Sequence, residues 1–107
     1  MIGGSTEAVL QRKTNYIINE IGERVPTWED VQRLRGWLDL QAGEAKYTYN
    51  TKLQESTHIF VCDYRLVTTQ VDNVRMVIDG NVYDVLLIDD PMGLHKQLEI
   101  YLKYVGR

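Results

Sequence analysis

The sequence predicts an all-β fold, a small six-stranded antiparallel β-barrel or sandwich, and three observations lead to it. Asp79-Gly80 stands between two apolar runs, which is a strong signal for a tight β-hairpin. Several other segments alternate apolar and polar residues, as half-buried strands do. Glycine, proline and asparagine separate these segments at the short spacing that is typical of a sandwich or barrel.

The amino-terminal part of the chain fits two different structures. Residues 1–7 are small and polar, so we expect them to be disordered and the barrel to span residues 8–105 of a single domain. Over residues 8–21, helical spacing forms a stripe of Val9, Lys13, Ile17 and Ile21. Strand spacing instead forms a face of Leu10, Arg12, Thr14, Tyr16 and Ile18. The pattern alone leaves both alternatives open.

A long second strand is predicted over Trp28–Leu40. Alternation is clearest in its second half, where one face carries Leu34, Gly36, Leu38 and Leu40. A glycine inside a strand suggests a bulge or sharp bend, which we place at Gly36.

The polar stretch Gln41–Ser56 is predicted to be a long loop between strands 2 and 3. A four-residue spacing within it allows a short helix through Ala45, Tyr49 and Leu53. Connections of this length are uncommon in small domains and are often functional.

The second half of the chain supplies four more strands. Thr57–Arg65 is partly apolar on both faces, which predicts a central strand 3 with one face of His58, Phe60, Cys62 and Tyr64. Strands 4 and 5 form the hairpin Val74–Ile88. A two-residue turn in that hairpin buries Val74, Met76, Tyr83 and Val85 and places Arg75 opposite Asp84 as a charge pair. After the turn Asp89–Gly93, strand 6 spans Gln97–Val105. Its predicted inward face consists of Leu98, Ile100, Leu102 and Tyr104.

Composition excludes several classes of function. Hydrophobic residues make up 44% and charged residues 25% of the 107 residues, as in folded soluble proteins. The net charge of −3 gives the chain no electrostatic attraction for nucleic acid. No apolar run approaches the length of a membrane span, and residues 1–5 lack the features of a signal peptide. We therefore expect no membrane contact and a product that stays in the cytoplasm where it is made.

No residue pattern predicts an enzyme, a cofactor or a metal site. His58 and His95 fall in different elements without companions at metal-ligand spacing. Asp84, Asp89 and Asp90 lack the spaced oxygen ligands of a calcium loop. Cys62 is the single cysteine, and we interpret it as a buried apolar residue.

The aromatic residues indicate contacts with other subunits. Tyr83 and Tyr104 fit the core, whereas Trp37 faces away from the leucines of its own strand. Exposed aromatic side chains in polar surroundings suit protein interfaces. We predict contacts between subunits, or with a partner protein, at Trp28, Trp37 and Tyr101.

The order of these segments resembles phage head–tail joining proteins, also called head–tail adaptors, connectors or stoppers. The resemblance covers about residues 9–105, and order and spacing carry it more than any single motif. The segments that carry the resemblance are Gly22–Val31, Trp37–Glu44, Thr57–Arg65, Val74–Ile88 and Gln97–Ile100.

The resemblance implies a small β-barrel, which favours a strand over residues 9–18. It also implies a structural virion protein of the phage neck, made in the host cytoplasm. The expected partners are portal or adaptor ring proteins, tail proteins and further copies of itself. The protein would be monomeric in solution and dodecameric once assembled as a ring below the portal.

In the stopper branch of this family, the loop between strands 2 and 3 closes the DNA channel. Here that loop is Ala42–Ser56, and transient contacts with genomic DNA would come from Lys46, Tyr47, Tyr49, Asn50 and Lys52. Two alternatives stay open: a tail-completion protein, and a free-standing small barrel that binds a peptide or an oligonucleotide.

Overall fold

A computed structural model describes residue 4 and residues 6–40, 56–65, 67 and 73–107. Its described residues form a closed barrel in which every strand pairing is antiparallel. The strands are β1 (Thr6–Ile18), β2 (Arg24–Leu40), β3 (His58–Asp63), β4 (Val74–Ile78), β5 (Asn81–Asp89) and β6 (Gln97–Gly106). Their order around the barrel is β1-β2-β3-β6-β5-β4, and β4 closes it by pairing with β1. The all-β prediction is confirmed.

The β4–β5 hairpin has the predicted register. Asp79 and Gly80 both have positive φ, 51° and 79°, as a type I′ turn requires. Met76 lies opposite Tyr83, and Arg75 opposite Asp84. The predicted inward face is buried throughout: Val74, Met76, Tyr83 and Val85.

The core consists of inward side chains from all six strands. Those with no more than 3% of their surface exposed include Leu10, Leu34, Phe60, Met76, Ile100 and Leu102. Each large apolar side chain of this kind contributes roughly 1.5–3 kcal/mol on burial. An exposed ion pair contributes about 0–1 kcal/mol, so the core rather than the surface charges stabilises the barrel.

The amino-terminal segment is a strand, which decides between the two alternatives for residues 8–21. Ala8 and Leu10 point into the core, while β1 pairs with β2 on one side and β4 on the other. The strand begins at Thr6, two residues before the predicted boundary. No helix could offer both neighbouring strands the ladder of hydrogen bonds that closes this barrel.

Gly36 is required by close backbone approach and not by a bulge. It keeps register on both sides, with Thr6 of β1 and Cys62 of β3. The β1–β2 ladder shifts register elsewhere, between Leu10 and Gln11 and between Lys13 and Asn15, so the bulge expected at residue 36 is wrong. A Cβ atom at Gly36 would lie 2.2 Å from the carbonyl oxygen of Val61.

Tyr104 corrects the predicted inward face of β6. Leu98, Ile100 and Leu102 are buried as expected, but Tyr104 is 46% exposed. It lies beyond Leu102 toward the end of the strand, and its ring contacts Tyr83 edge-on at 5.5 Å between centroids. The barrel interior ends before this residue, so alternation no longer leads to burial.

We expect Gly36→Ala to lower the free energy of unfolding by about 1–3 kcal/mol, because the backbone of Val61 must move to admit the methyl group. Urea denaturation measures the change, with Asp39→Ala on the same strand as an exposed control. An unchanged midpoint for Gly36→Ala would contradict this expectation, because it would show that β2 and β3 admit the methyl group without loss of stability.

Candidate assembly surface

The first two strands continue beyond the barrel as a two-stranded ribbon, which we call the arm (residues 13–27). The pairing of β1 with β4 ends at Arg12 and Val74. The pairing of β2 with β3 starts at Gly36. Between these limits the described ladders pair the arm only with itself, so neither of its edges is paired with another described strand.

A side-chain-stabilised turn defines the tip of the arm. The Asn19 side-chain oxygen accepts hydrogen bonds from the backbone nitrogens of Ile21 (3.1 Å) and Glu23 (2.9 Å). The backbone nitrogen of Gly22 donates to the Asn19 carbonyl at 3.0 Å, and Gly22 has a φ of 83°. Asparagine and glycine suit these positions because one accepts locally and the other tolerates positive φ.

The arm exposes large apolar side chains near its tip. Their exposed fractions run from about half to three-quarters, for Tyr16, Ile17, Ile18 and Ile21. A two-stranded hairpin is at best marginally stable alone in water, and apolar patches of this kind mark interaction sites. Sequence reasoning missed this surface, although three consecutive apolar residues at 16–18 depart from strand alternation.

A cation–π contact braces the base of the arm against the barrel. The Arg75 guanidinium lies 4.2 Å from the centroid of the Trp28 ring, and its Nε donates to the Gln11 side-chain oxygen at 2.8 Å. Gln11 in turn donates to Asp30 at 2.8 Å. Burial lowers the pKa of Arg75. We call this set the brace (Gln11, Trp28, Asp30 and Arg75).

The brace corrects one prediction and gives a second predicted residue an intramolecular contact. Arg75 is opposite Asp84 in register, but its guanidinium turns to Trp28 and Gln11 instead of forming the predicted charge pair. A planar guanidinium stacks well on an indole ring, which explains why the Arg75 side chain contacts Trp28 and not Asp84. Trp28, predicted to contact another subunit, is half-buried in this intramolecular contact.

Ion pairs cover the outer side of β1 and β2. Glu7 accepts from Arg33 at 2.8 Å and from Arg35 at 3.3 Å, and Arg12 pairs with Glu29. These charges satisfy one another within the chain, so this side offers little apolar surface.

A different part of the barrel presents apolar side chains outward. Trp37 pairs with Val61, and Tyr101 pairs with both Ile59 and Leu87. Their neighbours along the strands point into the core, so these side chains point out. Outward positions of a solvated barrel are ordinarily polar. We call this surface the outer face (Trp37, Ile59, Val61, Leu87 and Tyr101).

Acidic residues lie among the apolar ones. The Tyr101 hydroxyl donates to Glu99 at 3.0 Å, and Gln97 donates to the other oxygen of the same carboxylate at 3.0 Å. Burial and the neighbouring Glu99 raise the pKa of Tyr101 to about 12, so this phenol stays protonated and holds its ring on the face. Asp39, in register with Ile59, adds a second negative charge.

The structure thus separates the predicted contact residues. Trp37, 51% exposed, and Tyr101 share the outer face, whereas Trp28 belongs to the brace. The predicted channel residues Lys46, Tyr47, Tyr49, Asn50 and Lys52 lie outside the described residues, as does the short helix considered there. Of the loop Ala42–Ser56, only Ser56 is described, and it is buried.

The histidines and the cysteine have structural surroundings. The His58 ring nitrogen Nδ1 is 2.9 Å from the Thr57 hydroxyl, and its ring meets Tyr83 edge-on. His95 pairs with Asp90 and stacks on Tyr64. Burial raises the pKa of the Cys62 thiol to about 11, which leaves it protonated and unreactive at neutral pH.

Two further features, a metal-binding cluster and a membrane-spanning helix, are absent from the described residues. Nowhere among them do three or more histidine, cysteine, aspartate or glutamate side chains gather as they would around a metal ion. None of their helices has the length and apolar character needed to cross a membrane.

We expect the brace to appear as coupling in a double-mutant cycle of Trp28→Ala and Arg75→Ala. The coupling energy should be about 0.5–2 kcal/mol, because the cation stacks on a half-buried ring. Urea unfolding of the four proteins measures it. The pair Trp37→Ala and Arg75→Ala is the control and should be additive within about 0.5 kcal/mol. Equal coupling in both cycles would contradict a specific contact.

Comparison with known protein families gives a match over most of the chain. A family model described as phage head completion protein matches residues 6–103. The match runs from the first residue of β1 into β6 and therefore includes the arm, the brace and the outer face. No curated protein gives a significant match.

Proposed function

The chain belongs to the phage head completion protein family, and from this membership we propose that it forms a ring in the phage neck that joins the DNA-filled head to the tail. The family is one of structural virion proteins with a head–tail role and is not known for enzymes. The ring would lie below the portal or its adaptor, with twelvefold symmetry, and would present a platform to the tail. Monomers made in the host cytoplasm would assemble on the filled head.

Two unlike uncovered surfaces support a ring. The arm and the outer face differ in residue content and in position, so each can bind the other kind of surface on a neighbouring copy. A contact between two different patches repeats from subunit to subunit and closes where the rotation permits. This combination of surfaces on a head completion protein is the observation that carries the proposal.

The charge of the chain suits a channel that DNA must pass. With a net charge of −3, a ring of many copies has an acidic surface overall. An acidic wall repels the phosphate backbone and lets DNA move without sticking, whereas a basic wall would retain it. Closure of the channel after packaging is assigned in this proposal to the segment Ala42–Ser56, through Lys46 and Lys52.

The ring is tested on filled heads from a phage that lacks its own head completion protein. We expect the purified protein to bind portal-bearing heads, to add a ring visible by electron microscopy below the portal, and to restore tail attachment. Empty heads without portals are the control. Binding to isolated tails with none to heads would contradict the proposal and indicate a tail-completion protein.

We expect deletion of Tyr47–Leu53 to leave the barrel intact and to make completed heads leak DNA. The strands on either side meet at the pair Leu40 and His58, and the shortened connection still exceeds the about 2–5 residues that a hairpin loop needs. Nuclease-protected DNA per head measures the leak, and circular dichroism checks the fold. If the heads keep their DNA and only tail joining fails, this segment does not close the channel.

A further inference from the structure

We infer that the arm of one copy docks on the outer face of the next copy and forms the contact between neighbouring subunits. This inference rests on the proposed ring and names the two surfaces that build it. It assigns Tyr16 and Ile18, which share one face of the ribbon, and Ile21 in the turn to one side of the contact, and Trp37, Ile59 and Val61 to the other.

The two surfaces cannot cover each other within one chain. Both include part of β2, but the arm contains its first residues and the outer face begins near its end. From Arg24 at the arm to Trp37 on the face, the strand advances roughly 40 Å at the usual rise per residue. Since β2 is continuous between them, an arm that docks on an outer face must come from another copy of the chain.

A second copy fits both surfaces at once. Arm-to-arm pairing would close a dimer and leave the outer face uncovered. Arm-to-face docking covers both surfaces in every subunit and leaves the same two surfaces open at the ends until the ring closes. The brace supports this use of the arm, because Arg75 and Trp28 hold its base to the barrel before docking.

The chemistry of the surfaces is complementary. Branched and aromatic side chains of the arm meet branched and aromatic side chains of the face, which excludes water from both. The face carries the carboxylates of Glu99 and Asp39. The arm carries cations at Lys13, near its base, and at Arg24, opposite Ile18 near its tip, whereas its acidic residues Glu20 and Glu23 lie in the turn. Opposite charges around an apolar centre set the orientation of the two copies.

The contact is small, which explains assembly on a template. Stable complexes bury about 800 Å² on each partner, and the four apolar side chains near the tip of the arm supply only part of that area. A single contact is therefore weak in solution. Filled heads raise the local concentration of subunits and allow successive contacts to support one another.

Mixed cysteine cross-linking tests the docking. A tagged Ile18→Cys chain and an untagged Trp37→Cys chain are bound together to filled heads that lack the head completion protein, and then oxidised. We expect a disulfide between one tagged and one untagged chain, and none when either variant is used alone. Asp84→Cys, at another exposed position on the barrel, replaces Trp37→Cys as the control and should give no such product. The native Cys62 is buried, so we expect it to form no disulfide under these conditions.

The outcomes separate this inference from the proposed ring. If both variants bind the heads and the mixed product is absent, or if Ile18→Cys cross-links to itself or to a head protein, the docking is wrong and the ring stands. If the wild-type protein does not bind filled heads, the proposed function fails.

A second measurement does not depend on cross-linking. Ile18→Asp should lower binding to heads by about tenfold or more, since a charge replaces an apolar interface side chain. Met92→Asp changes an apolar residue that is 91% exposed outside both surfaces and should bind normally. Equal urea midpoints show that both variants are folded. Normal binding by Ile18→Asp would overturn the docking.

Discussion

Closure of the barrel by β1 is the constraint on which the structure depends. This strand pairs with β2 on one edge and β4 on the other, so that its inward residues Ala8 and Leu10 complete the core. The closed ring leaves no open edge along the barrel itself. Within the closed barrel, β2 lies between β1 and β3, and the close approach of the β3 backbone requires glycine at residue 36 of β2.

The same constraint produces the arm. β1 and β2 are longer than the neighbours that close the barrel, so their surplus residues can pair only with each other. Two register shifts fall where the ribbon leaves the barrel, and the Arg75–Trp28 contact holds it there. A bulged, twisted ribbon with a braced base presents its apolar tip in a defined direction. The projecting ribbon and its exposed apolar tip thus follow from a mismatch of strand lengths.

The described surface combines paired charges with exposed apolar side chains. Its ionisable groups pair with one another on the outer side of β1 and β2, and its thiol is buried and protonated. Among the described residues, exposed apolar side chains cluster at the tip of the arm, and Trp37 is exposed on the outer face, while others such as Met92 and Leu94 lie elsewhere. Membership in a family of structural virion proteins agrees with this distribution.

Local chemistry in the sequence was sufficient for the β4–β5 hairpin, since Asp79-Gly80 demands a two-residue turn and the turn sets the register of every pair that follows. Alternation was sufficient for the inward faces of β3 and most of β6. The sequence pattern did not determine four features of the structure: the strand over residues 8–21, the exposure of Tyr104, the partner of Arg75 and the arm. Each depends on where a neighbouring strand ends or which ring lies across the sheet, and those are contacts between residues far apart in the chain. The residues next to a position in sequence do not specify these contacts. Folding of the whole barrel therefore decides whether an aromatic or branched side chain is buried in the core, held in the brace or left exposed.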